Sequence, residues 1–162
     1  MRSNFSIAAA LVAALTAGLA AVTALSGPAA HADQVYHSQH IALQPVAGAP
    51  LRSGFVENIH ANGPTIFAHE IYVLNGAEPA TTYHVTLTIV PDKTCATGSS
   101  LVIPTATFTT NAAGNGQGDA VFQPSAVPPD LRHATVGVTW TVWVGSDVNV
   151  KYTTGCQVVT LD

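Results

Sequence analysis

Charge is what this sequence has least of. Only 9% of its 162 residues are charged, and Lys plus Arg number 5 against 9 Asp plus Glu. A chain so poor in cations cannot neutralise a run of phosphates, which excludes nucleic acid as a main partner and an anionic membrane surface as a docking site. Cysteine is scarce too, with 2 in the whole chain. That leaves no paired C-x-x-C and no cysteine-rich zinc site. There is no G-x-S-x-G nucleophile elbow and no phosphate-binding P-loop, so the chain reads as a non-enzyme that needs no cofactor. Helical periodicity, internal repeats and a dividing linker are missing as well. What is present is a hydrophobic fraction of 48%. Rich in Val, Thr, Ile and Leu, it can bury enough apolar area to offset ordering entropy, which excludes intrinsic disorder.

Residues 1–32 differ in kind from the rest. Arg2 supplies a positive start, residues 7–25 form an unbroken Ala/Leu/Val/Thr/Gly run, Gly27 and Pro28 break it, and Ala30, His31 and Ala32 follow. That order matches a secretory signal peptide cleaved after Ala32, leaving a single domain of residues 33–162 with no stable membrane insertion. No cysteine lies near the cleavage site and Arg2 has no Arg neighbour, so general secretion is expected over lipoprotein or twin-arginine export. The domain keeps Arg52, Lys93, Arg132 and Lys151 against all the acids and is mildly acidic. In an exported chain the pair Cys95 and Cys156 favours one structural disulfide over two free thiols. With its Ala-rich leader and Ala/Thr/Val/Gly bias, the chain resembles exported proteins of the actinobacterial type in composition.

Alternation dominates the domain. Tyr83, Val85, Leu87 and Ile89 share one face of a strand, with His84, Thr86 and Thr88 on the other. Val136, Val138, Trp140, Val142 and Val144 form a second such face, opposed by Thr135, Gly137, Thr139, Thr141 and Trp143. The spacing predicts a hairpin over residues 135–153 turning at Gly145 to Asp147, with Trp140 opposite Tyr152 in the core. Further strands are expected near 35–44, 52–60, 65–74, 101–110, 118–123 and 156–161, divided by Asn62-Gly63-Pro64, Asn75-Gly76 and residues 111–118 (NAAGNGQG). Pro104 lacks an N–H donor and places its strand at an edge or a bulge. About eight antiparallel strands imply an all-β, two-sheet sandwich.

The run from Ala77 to Val85 (AEPATTYHV) is similar to the x-x-Pro-x-Thr-x-Tyr-x-Val stretch of fibronectin type III and related immunoglobulin-like domains. The resemblance implies an immunoglobulin-like Greek key in which Tyr83 forms a tyrosine corner, its hydroxyl bonded back to the preceding loop. It covers about ten residues and implies no activity. Ala77 stands where those domains usually carry Leu, and more strands follow Tyr83 here.

Chemistry-bearing clusters are few. His69-Glu70-Ile71-Tyr72-Val73 begins like a metalloprotease motif, but Val73 replaces the second histidine, and a strand sends His69 and Glu70 to opposite faces. Across a hairpin turning at residues 62–64, Glu57 falls opposite Glu70 or, one register step away, opposite His69, and the ion pair is the favoured arrangement. The domain holds six histidines, and an exported sandwich with surface histidines resembles the copper/zinc superoxide dismutases. Those carry His-x-His on one strand, whereas His37 and His40 are three apart; His37, His40 and His60 are the contributors to an alternative copper or zinc site. His84 is expected to face solvent. Trp143, among Thr139, Thr141, Asn149 and Lys151 on the polar face, is the ligand-binding candidate together with Lys151, unless residues 124–131 cover it. The functional expectation is a non-catalytic binding or structural module of the cell envelope or extracellular space, with a protein, glycan or wall polymer as partner; the alternative is a histidine-based metal or redox protein.

Overall fold

A computed structural model describes residues 37–61, 65–96, 98–146 and 149–161; the expected signal peptide, the turn at Asn62 to Pro64, and Asp147 and Val148 of the expected hairpin lie outside them. The described residues form ten strands: β1 (His37–Ala42), β2 (Gln44–Pro45), β3 (Ser53–His60), β4 (Ala68–Asn75), β5 (Thr82–Val90), β6 (Leu101–Thr109), β7 (Gly116–Phe122), β8 (Ala134–Trp143), β9 (Val150–Thr153) and β10 (Gln157–Leu161). They build two antiparallel sheets in a sandwich, one in the order β1-β3-β4-β7, the other β2-β9-β8-β5-β6 with β10 also on β8. The all-β, two-sheet antiparallel sandwich is the expected one, with ten strands among the described residues instead of about eight. One expected strand is divided, the first, which changes sheet at Leu43; the break between β9 and β10 falls where it was expected, and there Thr154 Oγ1 takes the Trp140 N–H at 3.1 Å.

Period-two burial positions the core. Tyr72, Leu74, Val56, Tyr83, Val85, Trp140, Val142 and Tyr152 all lose essentially their whole surface between the sheets. Tyr152 sits opposite Val142, two positions from Trp140, and the bulge that β8 and β9 carry between Val142 and Trp143 supplies one of those two steps. Tyr83 opens β5 and its hydroxyl accepts the Glu78 N–H at 3.2 Å, while the Tyr152 hydroxyl donates to Pro50 O at 2.8 Å. Pro104 lies on the edge strand β6, opposite Thr86, where the pairing with β5 slips between Val85 and Thr86. A proline removes one ladder donor, and an edge with a bulge is where that loss costs least.

Residues 116–118, expected in a turn, belong to β7. Gly116 and Gly118 serve close packing: a Cβ on Gly118 would lie 2.5 Å from Phe108 Cδ1, so their bare backbone lets β7 approach β6 and close one side of the sandwich. On the opposite side β2 covers the edge of β9, whereas β10 has β8 as its only strand partner among the described residues. Among the described residues no further strand pairs with the outer edge of β1 or of β10, and residues of both strands line one cleft.

Cys95 and Cys156 are bonded, tying the β5–β6 connection to the β9–β10 junction across the outer face of the six-stranded sheet. Gly137 makes room for that strap, since a Cβ there would meet Asp92 O at 2.3 Å and Cys95 Sγ at 2.7 Å. No helix among the described residues is long and apolar enough to cross a membrane, and a disulfide-bonded sandwich of this kind is compatible with an extracellular setting.

Candidate functional site: a polar row between the sheets

The inward face of the four-stranded sheet is not wholly apolar. Register pairs Gln39 with Asn58 and Asn58 with Glu70, and in the next row His37 with His60. Asn58, Glu70 and His60 are 2%, 2% and 4% exposed, so a polar strip runs from the free edge at β1 into the core. Burying such groups costs free energy that a neutral apolar side chain would not, and proteins concentrate that cost where a site needs it. The Asn58 side-chain amide lies 3.2 Å from His60 Nε2. The Tyr72 hydroxyl donates to Glu70 Oε2 and lies 2.8 Å from Thr105 Oγ1. Trp140 Nε1 is buried without an acceptor at hydrogen-bond geometry, although its N–H faces the Glu70 carboxyl closely enough to favour the carboxylate. Desolvation outweighs both donors and raises the Glu70 pKa to about 7. Burial pushes the Tyr72 hydroxyl up as well, with the Glu70 charge beside it adding to the shift.

Two spaces adjoin this row. Between the β1 and β10 edges lies an open cleft of about 460 Å³ lined by His37, Ser38, Gln39, Asn58, His60, Val158, Val159 and Thr160. Behind it, between the sheets, is a cavity of about 60 Å³ whose polar end is Asn58, His60, Glu70 and Trp140 and whose walls include Leu87, Ile89, Ile103, Val127 and Leu131. Asn58, His60 and Val159 line both spaces and form the partition.

The β3–β4 register differs from both expected arrangements. Glu57 lies opposite Ile71, Asn58 opposite Glu70 and Ile59 opposite His69. Gly54 opposite Leu74 and Val56 opposite Tyr72 explain it: the small residue leaves room for the large one, with Leu74 Cδ2 3.2 Å from a Gly54 Cβ position. Glu57 thus points outward, where it accepts from Ser38 Oγ and pairs with His40 Nδ1 at 2.9 Å. Those hydrogen bonds, Ser38 first, hold its carboxyl below the usual range. His69 pairs with Asp119 at 3.3 Å on the same outer face. His40 is thereby separated from His37 and His60, which share the inner face, and among the described residues no three His, Cys, Asp or Glu side chains are grouped to hold a metal ion.

Trp143 is half-buried, but not beneath residues 124–131. Its ring stacks on His84 with centroids 4.4 Å apart, and its N–H donates to Thr86 Oγ1 at 2.9 Å. His84, expected to face solvent, is half-covered by that stack and bonds Thr107 Oγ1 at 2.9 Å. Lys151 turns elsewhere, with Nζ 3.9 Å from Glu78 Oε1. The segment expected over Trp143 forms two single-turn 3-10 helices, Pro124–Ala126 and Pro129–Leu131, and places Val127 and Leu131 over the cavity beside Trp140. Compared with known protein families, curated proteins and solved structures, the chain matches none.

Sequence reasoning missed Asn58 and Glu70 as a pair. The available signal was the i, i+2 spacing of polar residues in Val56-x-Asn58-x-His60 and Glu70-x-Tyr72 on two neighbouring strands. Phe55 and Ile59 on β3, and Ile71 and Val73 on β4, made the opposite face look equally apolar.

Proposed function

We propose that this protein is an exported, non-catalytic binding module of the cell envelope or extracellular space, and that it takes an uncharged glycan in the cleft between β1 and β10. The observation that carries the proposal is the cleft's chemistry. Its volume of about 460 Å³ falls in the size class of small-molecule sites, and its lining offers hydroxyl, amide and imidazole groups and, among the described residues, no Asp, Glu, Lys or Arg. Such groups match sugar hydroxyls, which donate and accept, and give a charged organic ligand no carboxylate, ammonium or guanidinium to pair with among the described residues. Export rests on the leader pattern and the disulfide, and mass spectrometry of secreted material is expected to begin at Asp33. Finding intact Met1 in a membrane fraction would contradict export.

The test of the ligand class is retention of the full mature chain on immobilised neutral oligosaccharides, including glucans, mannans and N-acetylglucosamine oligomers, beside anionic and cationic ones. Retention on at least one neutral glycan and on no charged one is expected; retention on none of the neutral glycans overturns the assignment. A second reading, a copper or zinc site, has one observation in its favour: His37 stands opposite His60 in the same cleft. Elemental analysis of the purified protein distinguishes the two.

A further inference from the structure

The cavity behind Asn58 and His60 is chemically unlike the cleft in front of them. Its walls are mostly aliphatic, and at its polar end, beside Asn58 and His60, a donor and an acceptor stand within the same small space: Trp140 Nε1–H, without an acceptor at hydrogen-bond geometry, and the Glu70 carboxyl, of which Oε2 already takes the Tyr72 hydroxyl. A buried N–H left in that condition is rare, because it forgoes the bond it would make to water. We propose that this cavity is a binding site for a small, uncharged, hydroxyl-bearing apolar molecule, with its O–H held between Trp140 Nε1 and Glu70 and its carbons packed on Leu87, Ile103, Val127 and Leu131.

The hydroxyl follows from the donor–acceptor pair. It accepts from the indole N–H and donates to the carboxyl, satisfying both groups at once. A carboxylate or an ammonium ligand would have to shed its hydration in a largely apolar space. Water meets the polar end equally well, but it finds no partners along the aliphatic walls, where displacement by carbon is favourable. Size sets the rest: a dry cavity of roughly 150 Å³ admits the six carbons of benzene, so the present volume of about 60 Å³ suits a molecule of about three non-hydrogen atoms. For so few atoms a dissociation constant on the order of 1 mM or weaker is expected.

Entry has a route. The capping segment bonds within itself, Ala126 N–H to Gln123 O at 2.9 Å and Leu131 N–H to Pro128 O at 3.0 Å, and Arg132 also reaches back to Pro124 O. It lies over the cavity through Val127 and Leu131. Lifting those two side chains opens the site while every strand ladder stays intact.

The test is a two-dimensional NMR titration of the full mature chain with ethanol, and with dimethyl ether, formate and ethylammonium as matched probes. Saturable shifts at Ala68, Val127 and Leu131 are expected with ethanol, at least tenfold weaker binding with the ether, which only accepts, and none with either ion. Trp140→Phe should weaken ethanol at least tenfold, and Val127→Trp, which fills the space from the cap, should abolish its shifts even where Trp140→Phe proves poorly folded. No saturable shifts, tighter binding of either ion, or unchanged binding by Val127→Trp would each overturn the proposal. Trp140 and Val127 do not line the cleft, so failure here leaves glycan binding to be judged on its own.

Discussion

Replacing Glu70 by Gln removes a titration from the core while keeping the side chain's size and its acceptor oxygen for Tyr72. Burial raises the folded-state pKa of Glu70 from 4.5 to about 7. The folded protein therefore holds this proton more tightly than the unfolded chain does. The corresponding stability is fully present below pH 4.5 and is lost as the pH rises through 7. Two and a half pKa units amount to roughly 3 kcal/mol, a large share of a typical domain's 5–15 kcal/mol. Urea unfolding of the wild type, disulfide intact, should thus give a stability that falls by about 3 kcal/mol between pH 5 and pH 8. Glu70→Gln should flatten that slope, whatever constant cost the amide adds at all pH values. Glu57 does not interfere: its pKa is lowered, so its contribution disappears only as the pH falls below the window used. A wild type whose stability is level across this range, or a variant with the same slope, would refute the burial argument for Glu70.

Other substitutions probe the strap and the outer sheet face. Converting Cys95 and Cys156 to Ser opens a loop with a sequence separation of 61, and the chain-entropy relation gives a loss of about 4 kcal/mol, read as a lower urea midpoint. Gly137→Ala drives a methyl into Asp92 O and Cys95 Sγ; it should cost about 2 kcal/mol and speed reduction of the disulfide by dithiothreitol. Trp143→Ala loses the indole bond to Thr86 and the stack on His84, a cost of about 2 kcal/mol by thermal unfolding, between the value for an exposed aromatic and that for a core one. A loss near zero would show the His84 stack to be loose in solution.

The sandwich was legible because its central strands alternate without ambiguity. In β5 and β8, apolar Val, Leu, Ile and Trp alternate with Thr and His, so the buried face could be read directly, as could the edge position of Pro104 and the pairing of Cys95 with Cys156. The β3–β4 pair resisted for the opposite reason. Both faces carry large apolar residues, and the register depends on Gly54 seating Leu74, a fit of volumes that no local pattern announces. The favoured register, two steps from the observed one, hid the whole polar row. Gly116 and Gly118 misled similarly, since glycine signals a turn in sequence and a close approach of Phe108 in the fold. The cleft itself arises from two edges distant in sequence, β1 and β10, and from β2 covering one neighbour and not the other.

The most direct test of the cleft is retention on an immobilised neutral oligosaccharide, compared for the wild type, a Gln39→Ala/Thr160→Ala double variant and Trp143→Ala. Gln39 and Thr160 stand on opposite rims of the cleft, whereas Trp143 lies on the outer face of the six-stranded sheet. Equal retention of the wild type and Trp143→Ala, with a loss of at least tenfold in the double variant, is the predicted result. Full retention of the double variant, with binding lost on Trp143→Ala, would contradict it and move the site to the outer sheet face.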